Sequence, residues 1–294
     1  MHDYKNLIFS GGSIRGLSYI GCLKSLKEHG ILKNITTFVG VSIGSMFSTL
    51  VYLGYTYKEL HQLIMAIKLE ELKNISEENV LDFFKHFGVD NGDKFKKFIQ
   101  ICMKKRGFHE EITFKEAHRI LNKKLIIVGS CLNTQSADYF SYESSPDMQI
   151  IDAIMASISI PFYFTMKTIG EFSYGDGGLI DNYPIQLFKE ELDQTLGFLI
   201  CENVNTYNKI DGIDKFTMSV ISCMSNQLQE LYLELYRDYT VLIHLNYNCL
   251  QFKLSDKEKL HIINTGYLET NKFFHKLKMK KTIKELKEFK KIKN

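Results

Sequence analysis

Short apolar runs broken by glycine alternate with stretches of helical periodicity along most of this chain. Asn6-Leu7-Ile8-Phe9 ends at Ser10-Gly11-Gly12, after which Leu17, Ile20, Leu23, Leu26 and Lys27 follow at helical spacing. The pattern predicts a strand, a glycine turn and a helix that Gly30 terminates. Thr37-Phe38-Val39 is a second β-rich run, and it breaks at Gly40 before a helical stretch from Ile43 to Tyr52. Two βα units therefore open the chain. From about Tyr57 to Leu121 the periodicity is helical and mostly polar, with Ser76 and Thr113 as N-cap candidates, which predicts a helical insertion or lid. The strongest β run is Leu125 to Gly129, and Asn133-Thr134 predicts a hairpin into Tyr139-Phe140-Ser141. Further strands are expected at Gly197 to Cys201 and Thr240 to Leu245. Met218 to Tyr236 and the segment from Asp256 onward read as helices.

Strands alternating with helices predict an α/β fold, with a mostly parallel central sheet flanked by helices on both faces and a helical insertion. A length of 294 residues suits one such domain. Apolar residues at 45% and charged residues at 24% exclude a disordered or fibrous chain. The net charge of +3 is uneven: residues 276–294 hold nine Lys against Glu285 and Glu288, leaving a mildly acidic body at 5–275. In this tail Ile283, Leu286, Phe289 and Ile292 form a drifting apolar stripe. It reads either as a helix lying on an anionic membrane surface or as a solvated helix end.

Six cysteines fall singly, with no CxxC pair, which predicts reduced thiols and an intracellular, cytoplasmic or membrane-peripheral setting. The first residues lack the basic start of a signal peptide and a glycine for myristoylation, and no eighteen apolar residues run together. Any membrane contact is expected to be peripheral.

Gly40-Val41-Ser42-Ile43-Gly44 has the form GxSxG, in which small flanking residues allow a strained strand-to-helix turn that exposes the serine hydroxyl. The spacing alone also fits an ordinary glycine turn; the flanking strand and helix give it context. A Ser-Asp-His order would need a histidine downstream, yet His244 and His261 lie in a predicted strand and helix without local signals. Gly11-Gly12-Ser13-Ile14-Arg15-Gly16 ends the first strand and opens a helix, where backbone N–H groups can hold an oxyanion. A phosphate is the alternative ligand, but the loop lacks the P-loop lysine and the GxGxxG pattern, which disfavours nucleotide binding. Asp176-Gly177-Gly178, followed by Asp181-Asn182-Tyr183-Pro184, is by itself a turn.

In this order the blocks Phe9–Gly16, Gly40–Gly44, Ala156–Phe164 and Asp176–Pro184 resemble the patatin-like phospholipase family, with its GGGxRG loop, GxSxG elbow and DGG motif. The resemblance implies a three-layer α/β/α fold and a Ser-Asp dyad without histidine, carried by Ser42 and Asp176. It places the oxyanion hole at Gly11, Gly12 and Ser13, with Arg15, Gly16, Gly40, Gly44, Gly177 and Gly178 as supporting motif residues. The implied activity is hydrolysis of carboxylic esters of phospholipids, phospholipase A-type, through an acyl-enzyme. An inactive lipid-binding protein on the same fold is the alternative. The chemistry requires no metal or cofactor, and no nucleic-acid partner is expected. Ser13 stands where the family usually has glycine, so donation from this loop is expected to survive only if residue 13 avoids positive φ. Asp181 is the runner-up acid, expected to cap a turn. Arg15 is expected either to steady the loop or to meet a lipid phosphate.

Overall fold

The computed structural model describes residues 3–75, 77–81, 83–201, 209–248 and 250–292. The opening follows the sequence pattern: β1 (Asn6–Phe9), a short 3-10 turn, α1 (Ser18–Glu28), β2 (Thr37–Val41) and α2 (Ile43–Tyr52). Gly30, at φ +71°, turns the chain out of α1 as expected. The insertion comprises α3 (Tyr57–Ala66), α4 (Glu77–Leu81), α5 (Phe83–His86), α6 (Asp93–Lys105) and α7 (Phe114–Leu121). Thr113 caps α7 in a reciprocal box with Glu116, and Thr56 with Glu59 does the same for α3. Ser76 lies outside the described residues.

β3 (Lys124–Cys131) and β4 (Ser136–Phe140) form the expected hairpin. Then come α8 (Ile150–Ser157), a second hairpin of β5 (Lys167–Ile169) and β6 (Phe172–Gly175), β7 (Thr195–Cys201), α9 (Ile213–Tyr236), β8 (Thr240–His244) and α10 (Asp256–Ile292). The strands form one sheet in the order β5-β6-β3-β2-β1-β7-β8, with β4 also paired to β3. β3, β2, β1, β7 and β8 are parallel; the two hairpins add antiparallel pairings at the β3 end. The sheet is thus mixed, with a parallel majority.

Alternate residues of the strands serve the two faces. Leu7, Phe9, Phe38, Leu125, Phe198 and Ile200 join the main core with α1, α2, α8 and α10, while Ile8, Val39, Ile126 and Leu199 meet Tyr183, Ile185 and the end of α9. Both faces are covered, which explains the continuous apolar strands and gives the three-layer α/β/α arrangement.

The pairing around β3 positions the site. Ile127 and Val128 pair with β4 on one side and β2 on the other; Ser130 and Cys131 pair with β4 and β6. β2 and β6 therefore lie end to end along the same side of β3, and their C-termini point at each other across Gly129. Val41, the end of β2, is opposite Val128, and Gly175, the end of β6, is opposite Ser130. The residues that follow, Ser42 and Asp176, are brought together by this arrangement.

Candidate active site

Ser42 occupies the turn between β2 and α2 at φ +52°, ψ −127°, a backbone region that residues with a Cβ avoid. The turn is possible because its neighbours are glycines: a Cβ on Gly40 would lie 2.3 Å from the Gly44 carbonyl oxygen, and one on Gly44 2.3 Å from that of Phe9. The elbow can thus press against the end of β1. The Ser42 N–H donates to the hydroxyl of Ser157 at 2.8 Å, which ties the turn to the end of α8.

The Ser42 hydroxyl donates to Asp176 Oδ2 at 2.5 Å. Both residues are buried. Asp176 Oδ1 accepts the Gly178 N–H at 2.7 Å, and the Asp176 N–H donates to the Ser159 carbonyl at 2.8 Å, so the carboxylate and the backbone that carries it are both held. Gly177 packs where a Cβ would sit 2.3 Å from the Val128 carbonyl oxygen, seating the DGG turn on β3. Burial pushes the Asp176 carboxyl up to about 6, against the opposing pull of the hydrogen bonds from Ser42 and Gly178.

The glycine loop departs from expectation in two ways. Ser13 takes φ +49°, so the condition that residue 13 avoid positive φ is not met: the chain needs a left-handed residue to swing from β1 into the following 3-10 turn, and the departure strains the residue that carries the Cβ without removing its backbone N–H. The Gly11 N–H is directed at the Asn182 carbonyl at 3.4 Å, so Gly11 joins the loop to the DGG segment instead of facing the Ser42 hydroxyl. No protein acceptor takes the Gly12 N–H among the described residues. Arg15 is buried, and its Nε and backbone N–H both donate to the Gly12 carbonyl at 3.2 Å, the loop-steadying arrangement. Gly16 gives close passage to Ile43, whose Cγ2 would be 2.6 Å from a Cβ there.

Asp181 lies off the site. Its buried carboxylate accepts from the Tyr139 hydroxyl at 2.7 Å and from Gln186, and burial raises its pKa. His244 and His261 are exposed on β8 and α10. Ser157, Ser159 and Asn182 support the site without having been assigned roles from sequence; each lies inside a motif block, but serine and asparagine carry no signal of which backbone group they will meet.

Ser42 lines an apolar cleft together with Ile14, Met46, Leu69, Phe95, Ile160 and Phe164 among others. Leu69 and Phe95 come from the insertion, so this region both fills core and walls the cleft. Among the described residues no histidine lines it. Among the described residues no cluster of His, Cys, Asp or Glu could hold a metal ion, and no helix is long and apolar enough to cross a membrane.

The chain is 30% identical over 275 residues to uncharacterized protein R571 of Acanthamoeba polyphaga mimivirus, covering 89% of this chain and 91% of the relative. It is 32% identical over 186 residues to probable lipid hydrolase 463L of Invertebrate iridescent virus 6, covering 63% of each. Among solved structures, VipD from Legionella pneumophila superposes with a TM-score of 0.61 at 17% identity, over 93% of this chain and 67% of that one. ExoU in the ExoU-SpcU complex of the Pseudomonas aeruginosa type III secretion system gives 0.54 at 16% identity, over 93% and 52%. At such identities these two likenesses speak for the fold alone. The family model for patatin-like phospholipase matches residues 7–189, from β1 through the DGG turn and beyond it, and this chain belongs to that family.

Proposed function

We propose that the protein is a lipid acyl hydrolase that cleaves carboxylic esters of phospholipids through a Ser42-Asp176 dyad. The observation that carries this reading is the 2.5 Å hydrogen bond from the Ser42 hydroxyl to Asp176, with Ser42 lining an apolar cleft. Family membership and the relative named as a probable lipid hydrolase support the substrate class.

Asp176 accepts the Ser42 proton as the hydroxyl oxygen attacks the ester carbonyl, and the charge that develops on the carbonyl oxygen is held by the amides of the Gly12-Ser13 turn. One such donor is worth about 3 kcal/mol in the transition state. The protonated Asp176 then returns its proton to the departing alcohol, leaving an acyl-serine. Water gives a proton to Asp176 as it attacks the acyl carbonyl, and the serine oxygen recovers that proton as the fatty acid leaves. A carboxylate near its ordinary pKa is a weak base; at about 6, Asp176 is better matched to neutral pH while still mostly ionised there. The cleft supplies apolar contact for an acyl chain and keeps bulk water from the acyl-serine.

A fluorophosphonate probe tests the dyad. Wild type is expected to be labelled and Ser42→Ala not, with Asp176→Asn labelled far more slowly; labelling that survives in Ser42→Ala sinks the assignment. Mass spectrometry of products from defined phospholipids then fixes the acyl position.

The described start of the basic tail lies away from the cleft, which argues against its delivering substrate. α10 runs down the sheet until Phe274 meets Tyr4, ahead of β1, and Lys280 reaches Asp238, ahead of β8. These are the N-terminal ends of the parallel strands, whereas Ser42 follows the C-terminal end of β2.

A further inference from the structure

The segment from Asn74 to Gly92 leaves the insertion as a closed loop. Ile75 bridges to Asp90 and Asp90 bridges to Phe164, while the buried Asp90 carboxylate accepts the N–H groups of Asn74 and Gly92, both at 2.8 Å. At the far side Phe162 N–H donates to the Phe87 carbonyl. On this fixed base α4, α5 and the residue after it present Val80, Leu81, Phe84 and Phe87 to solvent. Leu81 is 82% and Phe84 84% exposed, values at which a large apolar side chain gains nothing from the fold.

Two observations say what covers this patch. It is continuous with the cleft: Phe164, to which the loop neck is bridged, lines the cleft, as does Leu72 just before the loop. The sequence of this segment has the wrong charge for an anionic surface, with Glu77, Glu78 and Asp82 against Lys85. The geometry points to the α4–α5 loop as the surface by which this protein docks on a zwitterionic lipid aggregate, Leu81 and Phe84 entering the acyl boundary so that a lipid passes into the cleft without crossing water. This rests on the hydrolase reading for its purpose and for the turnover measurements, but not for the flotation. The start of the tail, at the N-terminal ends of the parallel strands, takes no part.

Flotation on phosphatidylcholine vesicles and turnover of two substrates test the proposal. Wild-type full-length protein is expected to float, and Leu81→Asp/Phe84→Asp to stay in the dense fraction, while Ile283→Asp/Leu286→Asp on α10 floats like wild type. The loop variant is expected to lose about tenfold or more in hydrolysis of vesicle phospholipid and to keep its rate on a monomeric short-chain ester. The milder Phe84→Gln is expected to show the same split at smaller size, and the short-chain rate reports whether either variant is folded. Equal flotation of wild type and loop variant overturns the proposal, as does failure of wild type to float. A wild-type dimer in sedimentation that the loop variant breaks, with no vesicle binding, gives the patch to a second copy of the chain instead. If wild type floats through the loop but hydrolyses neither substrate, the docking surface stands and the hydrolase reading falls.

Discussion

The amide of Ser42 is bonded to the hydroxyl of Ser157, 115 positions away, at 2.8 Å. Ser42 sits at φ +52°, ψ −127°, and a residue in so sparsely populated a region stays there only if its surroundings hold it. Gly40 and Gly44 remove the steric objection, and Ser157 supplies the positive hold. The hydroxyl that points at Asp176 is aimed by this backbone.

Removing the Ser157 hydroxyl leaves a buried amide without its acceptor, a loss of about 1–2 kcal/mol. Ser157→Ala is expected to melt lower and to lose kcat on a short-chain ester with little change in KM, while Ser157→Thr recovers both. An alanine variant with wild-type kcat would show that the glycines hold the elbow unaided.

The pH dependence follows from burial of Asp176. Its carboxyl must be ionised to act as base, and it is held up to about 6. Hydrolysis of a soluble ester is therefore expected to be level above pH 7 and to fall about tenfold per pH unit well below 6. A limb nearer 4 would mean that the carboxylate is more solvated than its 6% exposure indicates.

The same burial makes ionised Asp176 a burden on the fold. Its pKa in the folded protein lies above its ordinary value, so its contribution to stability is fully present below about 4 and is lost as pH rises through about 6. Asn can accept from Gly178 N–H and donate to Ser42 without a charge. Asp176→Asn is accordingly expected to be inactive yet more stable at pH 8, by about 3 kcal/mol, with the gain shrinking towards pH 4. Denaturant unfolding at the two pH values measures this, and a variant less stable at pH 8 would contradict it.

The two opening βα units are legible in sequence because each short apolar run stops at a glycine and a helical period follows at once. The β5-β6 hairpin escapes that reading: its strands have three and four residues and only Tyr174 and Gly175 are buried, so no alternation develops. α8 escapes for the opposite reason, since Ile150 to Ser157 are buried nearly all round and show no polar face. The end-to-end placement of β2 and β6 on β3 is a tertiary fact with no local signal. That is why Asp-Gly-Gly alone reads as a turn, and why only the resemblance singled out Asp176. Nor does a serine at position 13 announce positive φ; its residue type argues against it.

Ser13 offers a test of whether the loop works through its backbone. At φ +49° a residue with a Cβ is strained by about 1 kcal/mol, which glycine would relieve, but glycine also loses more chain entropy on folding, about 0.5–1 kcal/mol. The two effects nearly cancel, so Ser13→Gly is expected to melt within a degree or so of wild type and to keep kcat within about twofold, its amide being unchanged. Ser13→Val, branched at Cβ, suffers the full strain and is expected to lose both stability and kcat. Because the glycine variant keeps the amide and lacks the hydroxyl, its rate decides between them. If Ser13→Gly were as inactive as Ser42→Ala, the hydroxyl of residue 13 would be the group that matters, and the oxyanion role assigned to the turn amides would have to be given up.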